Sequence, residues 1–151
     1  MKSYSILVLN GPNINMLGTR EPEIYGNRTY EDLLEYIDEE AEKRNIQVTF
    51  AQSNHEGDLV DRIQQAYGKM DGIVFNPAAY THTSVAILDA LKATMIPTVE
   101  VHISQVDERE EFRKISTISG VCIDTIKGHG FEGYIKALDI LTEYLEKQNE
   151  E

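Results

Sequence analysis

The sequence contains little cysteine and few basic residues, and each shortage excludes a class of function. Its 151 residues include one cysteine, Cys122, which excludes an intramolecular disulfide and a zinc or iron–sulfur site held by several cysteines. The sequence has 14 lysines and arginines against 26 aspartates and glutamates, so the formal net charge is −12. General binding of nucleic acid and docking on an anionic membrane both need a basic face, so this balance argues against both. A small anionic substrate is still allowed, because a pocket can differ in sign from the whole molecule.

Long apolar runs are also missing. No run reaches the ~18 residues that a membrane-spanning helix requires. The apolar stretch that starts at Ser5 is too short for a signal peptide. We therefore expect a cytoplasmic protein, and the length corresponds to a single domain over residues 1–151.

Strand-like and helix-like patterns alternate along the whole chain. Short apolar runs predict strands at 5–10, 46–51, 71–76, 96–102 and 121–126. Helical spacing predicts helices after Thr29, which forms a capping box with Asp32, and at 59–70, 84–93, 106–119 and 130–147. This alternation predicts an α/β protein with a flavodoxin-like, doubly wound, five-stranded parallel sheet of order 2-1-3-4-5. A ligand is expected beyond the carboxyl ends of the strands, near the switch between strands 1 and 3.

The predicted helix 84–93 is apolar nearly all round, with Asp89 as its only acid. Such a helix needs burial on more than one side. A partner subunit would supply the second covering surface.

Polar residues gather in the loops that follow strands 1, 3 and 4. These candidates are Asn13, Arg20, Tyr25, Asn76, His82, Glu100, His102, Arg109 and Arg113. Each also has a plain structural interpretation: an asparagine forms an Asx turn, a loop arginine is solvated or paired with a nearby acid, and a histidine at a strand end is structural. Glu100 lies two residues before His102 and therefore on the same strand face, where it would orient the imidazole.

The convergence of these loops on one sheet edge favours a functional interpretation. Two or three cations at one edge make a pocket for a carboxylate. A tyrosine beside them would have a stabilised phenolate and act as a base towards a proton next to a carbonyl. A histidine paired with a glutamate would protonate a departing hydroxyl. These parts together suggest an elimination site for a carboxylated hydroxy-ketone.

Several strings resemble one family. They are LNGPNINMLGTREPEIYG at 9–26, NPAAYTHTSVA at 76–86, EVHIS at 100–104, REEFR at 109–113 and GHGFEGY at 128–134. They are similar to the type II 3-dehydroquinate dehydratases over roughly 4–145. The resemblance implies a flavodoxin-like fold and a dodecamer built as a tetramer of trimers. It also implies a reversible anti dehydration of 3-dehydroquinate to 3-dehydroshikimate through an enolate, in the shikimate or quinate pathway, without metal or organic cofactor.

The resemblance also assigns catalytic roles. Tyr25 matches the base that removes the C2 proton, and Arg20 matches the cation that keeps this tyrosine ionised. Asn13 matches the residue that holds a water against the enolate oxygen. His102 matches the general acid that protonates the C1 hydroxyl, and Glu100 matches its orienting carboxylate.

Further positions match substrate-binding residues. Asn76, His82 and Arg113 match positions that bind the substrate hydroxyls, and the amides of Ile103 and Ser104 match the carboxylate site. Asp89 matches a residue that reaches the substrate from a neighbouring subunit, and Arg109 matches a supporting cation. Three departures are visible: Gln105 stands where the family usually has asparagine, Ala79 replaces a common glycine, and Leu88 stands where a charged or polar residue is frequent.

Two other interpretations stay open at this point. A flavodoxin-like fold also serves non-catalytic flavin-binding and receiver modules. A receiver needs an acidic cluster after strand 1 and an aspartate after strand 3, where this chain has Asn10 and Asn76. The other alternative is an inactive structural oligomer, which would not need Tyr25, Arg20 and His102.

Overall fold

The sheet of the protein has five parallel strands in the order β2-β1-β3-β4-β5. The structure, a computed structural model, describes residues 2–19, 27–105 and 110–150. The strands are β1 Tyr4–Asn10, β2 Ile46–Gln52, β3 Gly72–Asn76, β4 Thr98–His102 and β5 Asp124–Lys127. The predicted fold class and strand order are therefore confirmed.

Four α-helices in the described ranges connect and cover these strands. They are α1 Tyr30–Lys43, α2 Glu56–Ala66, α3 Val85–Thr94 and α4 Glu132–Asn149. The predicted capping box at the start of α1 is present, because the Thr29 hydroxyl accepts from the Asp32 amide and the Asp32 carboxylate accepts from the Thr29 amide. Ser84 caps α3 by accepting from the amide of Ile87. None of these helices is long and apolar enough to cross a bilayer.

The sheet separates two hydrophobic cores. Alternate residues of β1 point to opposite faces, so Ile6 and Val8 enter one core while Leu7 and Leu9 enter the other. Helices α1 and α4 cover the first core, and α2 and α3 cover the second. Both faces of the sheet are thereby buried, as parallel sheets require.

The predicted helix at 106–119 is wrong for the part that the structure describes. Residues Glu111–Lys114 and Ser119–Val121 instead form two short 3₁₀ turns, and β5 starts only at Asp124. The segment between the turns holds β-branched and hydroxyl side chains that disfavour a helix. Those hydroxyls bond elsewhere: the Thr117 hydroxyl donates to the carbonyl oxygens of Thr81 and Ser84.

Candidate active site

The carboxyl ends of β1, β3 and β4 form the edge on which the candidate residues were predicted to meet. Asn10 and Asn76 are paired in the sheet register, and both are buried. The amide of Gly11 donates to the carbonyl oxygen of Asn76 at 2.8 Å. A Cβ at Gly11 would lie 2.5 Å from the Pro77 carbonyl oxygen, so only glycine allows the two loops to approach this closely.

The end of β4 carries a buried acid–imidazole pair. Glu100 is 0% exposed and His102 is 3% exposed. The Nε2 atom of His102 lies 2.5 Å from Oε2 of Glu100, which confirms that the two side chains meet on one strand face. This contact fixes the orientation of the His102 ring.

Two hydroxyl groups complete the surroundings of the Glu100 carboxylate. The Ser116 hydroxyl lies 3.0 Å from both Oε1 and Oε2, and the Thr125 hydroxyl lies 3.2 Å from Oε1. We call Glu100, His102, Ser116 and Thr125 the carboxylate network. It joins β4, β5 and the loop between them.

His82 and Arg113 lie beside this network. The Nδ1 atom of His82 lies 2.7 Å from the Ile115 carbonyl oxygen, so Nδ1 carries the proton and Nε2 faces away from that bond. Burial lowers the pKa of His82, and the positive charges of Arg113 and His102 lower it further, against the opposing effects of Ile115 and Glu100. His82 thus bonds the residue next to Ser116, a member of the carboxylate network.

The Arg113 side chain is held by its own turn. Its Nε donates to a carboxylate oxygen of Glu110, and its guanidinium lies 5.1 Å from the ring centroid of Phe112. The pairing with a nearby acid, expected from the sequence as the structural interpretation, is therefore present. Phe112 lies between this guanidinium and His82, since its ring also contacts the His82 ring edge-on, with centroids 6.2 Å apart.

Asn76 belongs to a second, uncharged network. Its Nδ2 donates to the Tyr134 hydroxyl at 3.1 Å, and that hydroxyl donates to Oδ1 of Asn10 at 2.6 Å. The Oδ1 atom of Asn76 accepts from the Ala78 amide at 3.0 Å. Burial raises the pKa of Tyr134, which keeps its hydroxyl a neutral donor. We call Asn10, Asn76 and Tyr134 the amide network.

Asn13 and the chain after His102 also lie beyond the ends of the strands. Asn13 adopts the left-handed conformation with φ of 70° and opens a short 3₁₀ turn, and its amide donates to Oδ1 of Asn54 at 3.0 Å. The carbonyl oxygens of His102 and Ile103 accept from the amides of Gly128 and Gly130. These bonds fix the backbone that carries the Ile103 and Ser104 amides.

Of the remaining predicted residues that the structure describes, Asp89 lies apart from the two networks. Asp89 is exposed on α3, and within the described ranges no hydrogen bond or ion pair joins it to either network. Leu88 instead packs against the second core. The predictions for Arg20, Tyr25 and Arg109 fall outside the described residues.

Sequence patterns alone did not single out Ser116, Thr125 or Tyr134. One available signal was the sheet register, because Thr125 stands directly opposite Glu100 on the neighbouring strand. Ser116 reaches the site from a loop that has no periodic pattern in the sequence. Tyr134 lies on the predicted helix 130–147, whose apolar spacing indicates burial but not the hydrogen-bond partners of the hydroxyl. Cys122 stays inert, because burial raises the pKa of its thiol to about 12.

Comparison with known proteins agrees with this geometry. Residues 4–142 match the family described as dehydroquinase class II. The chain belongs to this family. It is 54% identical to the 3-dehydroquinate dehydratase of Clostridium acetobutylicum, across 94% of this chain and 99% of that protein.

Solved structures of class II dehydroquinases have the same architecture. The type II dehydroquinase from Butyrivibrio crossotus aligns with a TM-score of 0.91 and 54% identity, covering 93% of this chain and 98% of that one. The type II dehydroquinase from Propionibacterium acnes aligns with a TM-score of 0.88 and 43% identity, covering 91% and 95%. The resemblance that the sequence strings indicated is therefore confirmed.

In the described ranges of this dehydroquinase-family chain, no three histidine, cysteine, aspartate or glutamate side chains are grouped so that they could hold a metal ion. The described residues at the site provide amides, hydroxyls, an acid–imidazole pair, a second imidazole from His82 and the guanidinium of Arg113. Such a set suits the binding of hydroxyl and carboxylate groups and the transfer of a proton.

Proposed function

We propose that this protein is a hydro-lyase that reversibly dehydrates 3-dehydroquinate to 3-dehydroshikimate. The observation that carries the proposal is the fully buried Glu100–His102 pair at the end of β4, in a chain of the class II dehydroquinase family. The reaction removes a proton from C2 and the hydroxyl from C1, which leaves a double bond conjugated with the C3 ketone. One general base and one general acid are sufficient for this chemistry.

Tyr25 is the proposed base. The C2 proton is only moderately acidic, so its removal needs a phenolate placed against it and an enolate held by fixed dipoles. Arg20 supplies the positive charge that favours the phenolate. Asn13 holds a water against the enolate oxygen.

His102 is the proposed acid in the second half of the reaction. Its Nε2 is engaged by Glu100 at 2.5 Å, so the other ring nitrogen, Nδ1, is the one that delivers a proton to the C1 hydroxyl. The negative charge of Glu100 stabilises the imidazolium that this role requires. Base and acid act on opposite faces of the ring, which makes the elimination anti.

The substrate is held by groups around these two. The hydroxyls are bound by Asn76, His82 and Arg113, and the carboxylate is bound by the amides of Ile103 and Ser104. Arg109 supports the cationic side of the pocket. Asn76 presents an N–H to the substrate, because its Oδ1 already accepts from Ala78 and its Nδ2 retains one further hydrogen.

The proposed assembly is a dodecamer, a tetramer of trimers, in which Asp89 reaches the substrate of a neighbouring subunit. Apolar side chains exposed on α3 and on the loop after β4 support it. Val85 is 60% exposed, and the loop residues Phe112 and Ile115 are 57% and 61% exposed. Covering these side chains in an interface would remove apolar area from water. Light scattering of wild type against Val85→Glu tests the assembly, and a wild-type monomer contradicts it.

We further propose that residues 1–151 act as one catalytic domain in the cytoplasm, in the shikimate pathway of aromatic amino acid biosynthesis, and need no metal or organic cofactor. Neither nucleic acid nor membrane is a proposed partner. Turnover that is unchanged after exhaustive dialysis against a chelator is the expected result. Loss of turnover that added metal restores would contradict this part.

The alternative, a flavodoxin-like binding or receiver module, is less well supported. The Asn10 and Asn76 side chains, which stand where a receiver needs acids, are joined through Tyr134. They are therefore part of a fixed neutral network rather than a phosphorylation site.

The direct test is to add 3-dehydroquinate and follow the ultraviolet absorbance of the conjugated enone. Wild type should give a rise in absorbance from 3-dehydroquinate and a fall from 3-dehydroshikimate, and both should end at the same equilibrium. Tyr25→Phe keeps the ring and removes the base, and should lose most of the rate, by about 10³-fold. No rise with folded wild type overturns the function, and near-normal turnover by Tyr25→Phe overturns the assignment of the base.

A further inference from the structure

The Glu100 carboxylate is completely buried, yet three donors from three parts of the fold surround it. The Ser116 hydroxyl lies 3.0 Å from both oxygens, the Thr125 hydroxyl 3.2 Å from Oε1, and His102 Nε2 2.5 Å from Oε2. A carboxylate loses its water shell on burial, and this loss is costly unless hydrogen bonds replace it. The Ser116 and Thr125 hydroxyls therefore supply hydrogen bonds to Glu100 that water would supply to an exposed carboxylate.

The geometry of the donors also fixes the direction of the carboxylate. Ser116 bridges both oxygens from the loop side, and Thr125 holds Oε1 from the neighbouring strand, opposite Glu100 in the register. With Oε1 held by hydroxyls, Oε2 is the oxygen that meets His102. The position of the imidazole thus depends on two hydroxyl groups that do not contact it.

Ser116 also belongs to a short segment that touches several parts of the site. Over residues 115–117, the Ile115 carbonyl oxygen bonds His82, the Ser116 hydroxyl bonds Glu100, and the Thr117 amide donates to the Thr81 carbonyl oxygen. The Ser116 oxygen accepts from the Ser119 amide as well. A test must therefore separate its effect on Glu100 from its support of the loop.

We infer that Ser116 and Thr125 are positioning residues for the acid step: their hydroxyls replace the water shell of the buried Glu100 carboxylate and orient it so that His102 protonates the departing C1 hydroxyl. This inference rests on the proposed function. It concerns only the second half of the reaction, the cleavage of the C1–O bond with transfer of the His102 proton to that oxygen. Formation of the enolate by Tyr25 does not involve either hydroxyl.

The inference predicts which kinetic constant changes. Ser116→Ala and Thr125→Val should each lower kcat about ten-fold, as expected for the loss of a hydrogen bond to a charged group. KM should change less than about two-fold, because neither hydroxyl binds the substrate. Thr125→Ser keeps the hydroxyl and should stay close to wild type. Thr117→Val is the matched control, because it removes a neighbouring hydroxyl that bonds backbone carbonyls and not Glu100.

An isotope effect separates the acid step from general damage. With substrate deuterated at C2, slower departure of the hydroxyl makes proton removal less rate-limiting, so the isotope effect on kcat should fall towards one in Ser116→Ala and Thr125→Val. A second measurement uses unlabelled substrate in D2O. The substrate that has not reacted should gain more deuterium at C2 per turnover in these variants, because the enolate lives longer and returns to substrate more often. A loosened loop that slowed every step would leave both quantities as in wild type.

A double-mutant comparison completes the experiment. In a Glu100→Gln background, Ser116→Ala and Thr125→Val should have almost no further effect on kcat, because their target charge is gone. Four outcomes would each overturn this inference alone. They are full additivity of the kcat effects in the Glu100→Gln background, an unchanged isotope effect, a kcat for Thr125→Ser as low as for Thr125→Val, and a loss of kcat in Thr117→Val equal to that in the two test variants. Thermal unfolding checks each variant, and the Thr125→Val and Thr125→Ser pair decides the matter if Ser116→Ala does not fold. Absence of turnover by wild type overturns the proposed function, and this inference with it.

Discussion

The two hydrogen-bonded networks at the carboxyl edge of the sheet are similar in design but differ in charge, because one is neutral and the other contains a carboxylate. The amide network links β1, β3 and α4 through neutral groups, with the Tyr134 hydroxyl between Asn10 and Asn76. The carboxylate network links β4, β5 and the loop between them around the single charge of Glu100. In both, a hydroxyl from another part of the chain fixes a side chain at a strand end: the buried Tyr134 in the amide network, and the half-buried Ser116 and Thr125 in the carboxylate network.

The difference in charge indicates that one network binds the substrate and the other supports proton transfer. A neutral network has a fixed shape and a fixed set of donors, which suits recognition of a substrate hydroxyl. A buried carboxylate beside an imidazole can support a change of protonation, which suits proton transfer. Breaking the carboxylate network should therefore lower kcat, and breaking the amide network should raise KM.

The largest expected effect comes from removing the charge while keeping the shape. Glu100→Gln should lower kcat about 10²–10³-fold with little change in KM, because the imidazolium loses its stabilising anion. Steady-state kinetics on 3-dehydroquinate measures this. Asp124→Asn, which removes an exposed carboxylate on β5, is the control and should be close to wild type. A rise in KM with kcat unchanged would assign Glu100 to binding instead.

The amide network should give a smaller effect of the other kind. Tyr134→Phe removes the hydroxyl that holds Asn76, so KM should rise about ten-fold while kcat stays within about two-fold. The free energy of unfolding should fall by about 1–3 kcal/mol, because two buried amide groups lose their partner. Tyr144→Phe, on the same helix but away from the site, supplies the reference. A loss confined to kcat would remove the distinction between the two networks.

A change in the scaffold should affect neither constant. Thr29→Ala removes the capping box of α1 and should lower the free energy of unfolding by about 1 kcal/mol. Denaturant unfolding gives the stability, and KM and kcat should match wild type. If KM or kcat of Thr29→Ala differs from wild type, the kinetic effects of variants in either network cannot be assigned to local geometry.

The smallest expected effect is on the pH dependence of stability. Because the folded state lowers the pKa of His82, its contribution is complete above the unfolded value of about 6.5 and is lost as pH falls through the lower folded value. The free energy of unfolding of His82→Gln should therefore decline less than that of wild type on acidification below about pH 6. Unfolding curves across this range measure the slope, and equal slopes would contradict the prediction.

The sequence was sufficient to predict the fold and the contact between two candidate residues at the end of β4. The alternation of strands and helices predicted the sheet order, and the spacing of Glu100 and His102 predicted their contact. It was insufficient for the loop after β4, where the local pattern of charges at 106–119 resembles a helix but the hydroxyls of Ser116 and Thr117 bond to distant groups. Contacts of this kind depend on tertiary packing, which no short-range period encodes.

The alternation of β1 between two cores limits how this protein can evolve. Deleting or inserting one residue in Tyr4–Asn10 would exchange the side chains that face α1 and α4 with those that face α2 and α3. The same shift would move Asn10 out of line with Asn76, so the interior and the active site would fail in one event. Differences in length among relatives should therefore occur in the surface loops, while β1 keeps a constant number of residues.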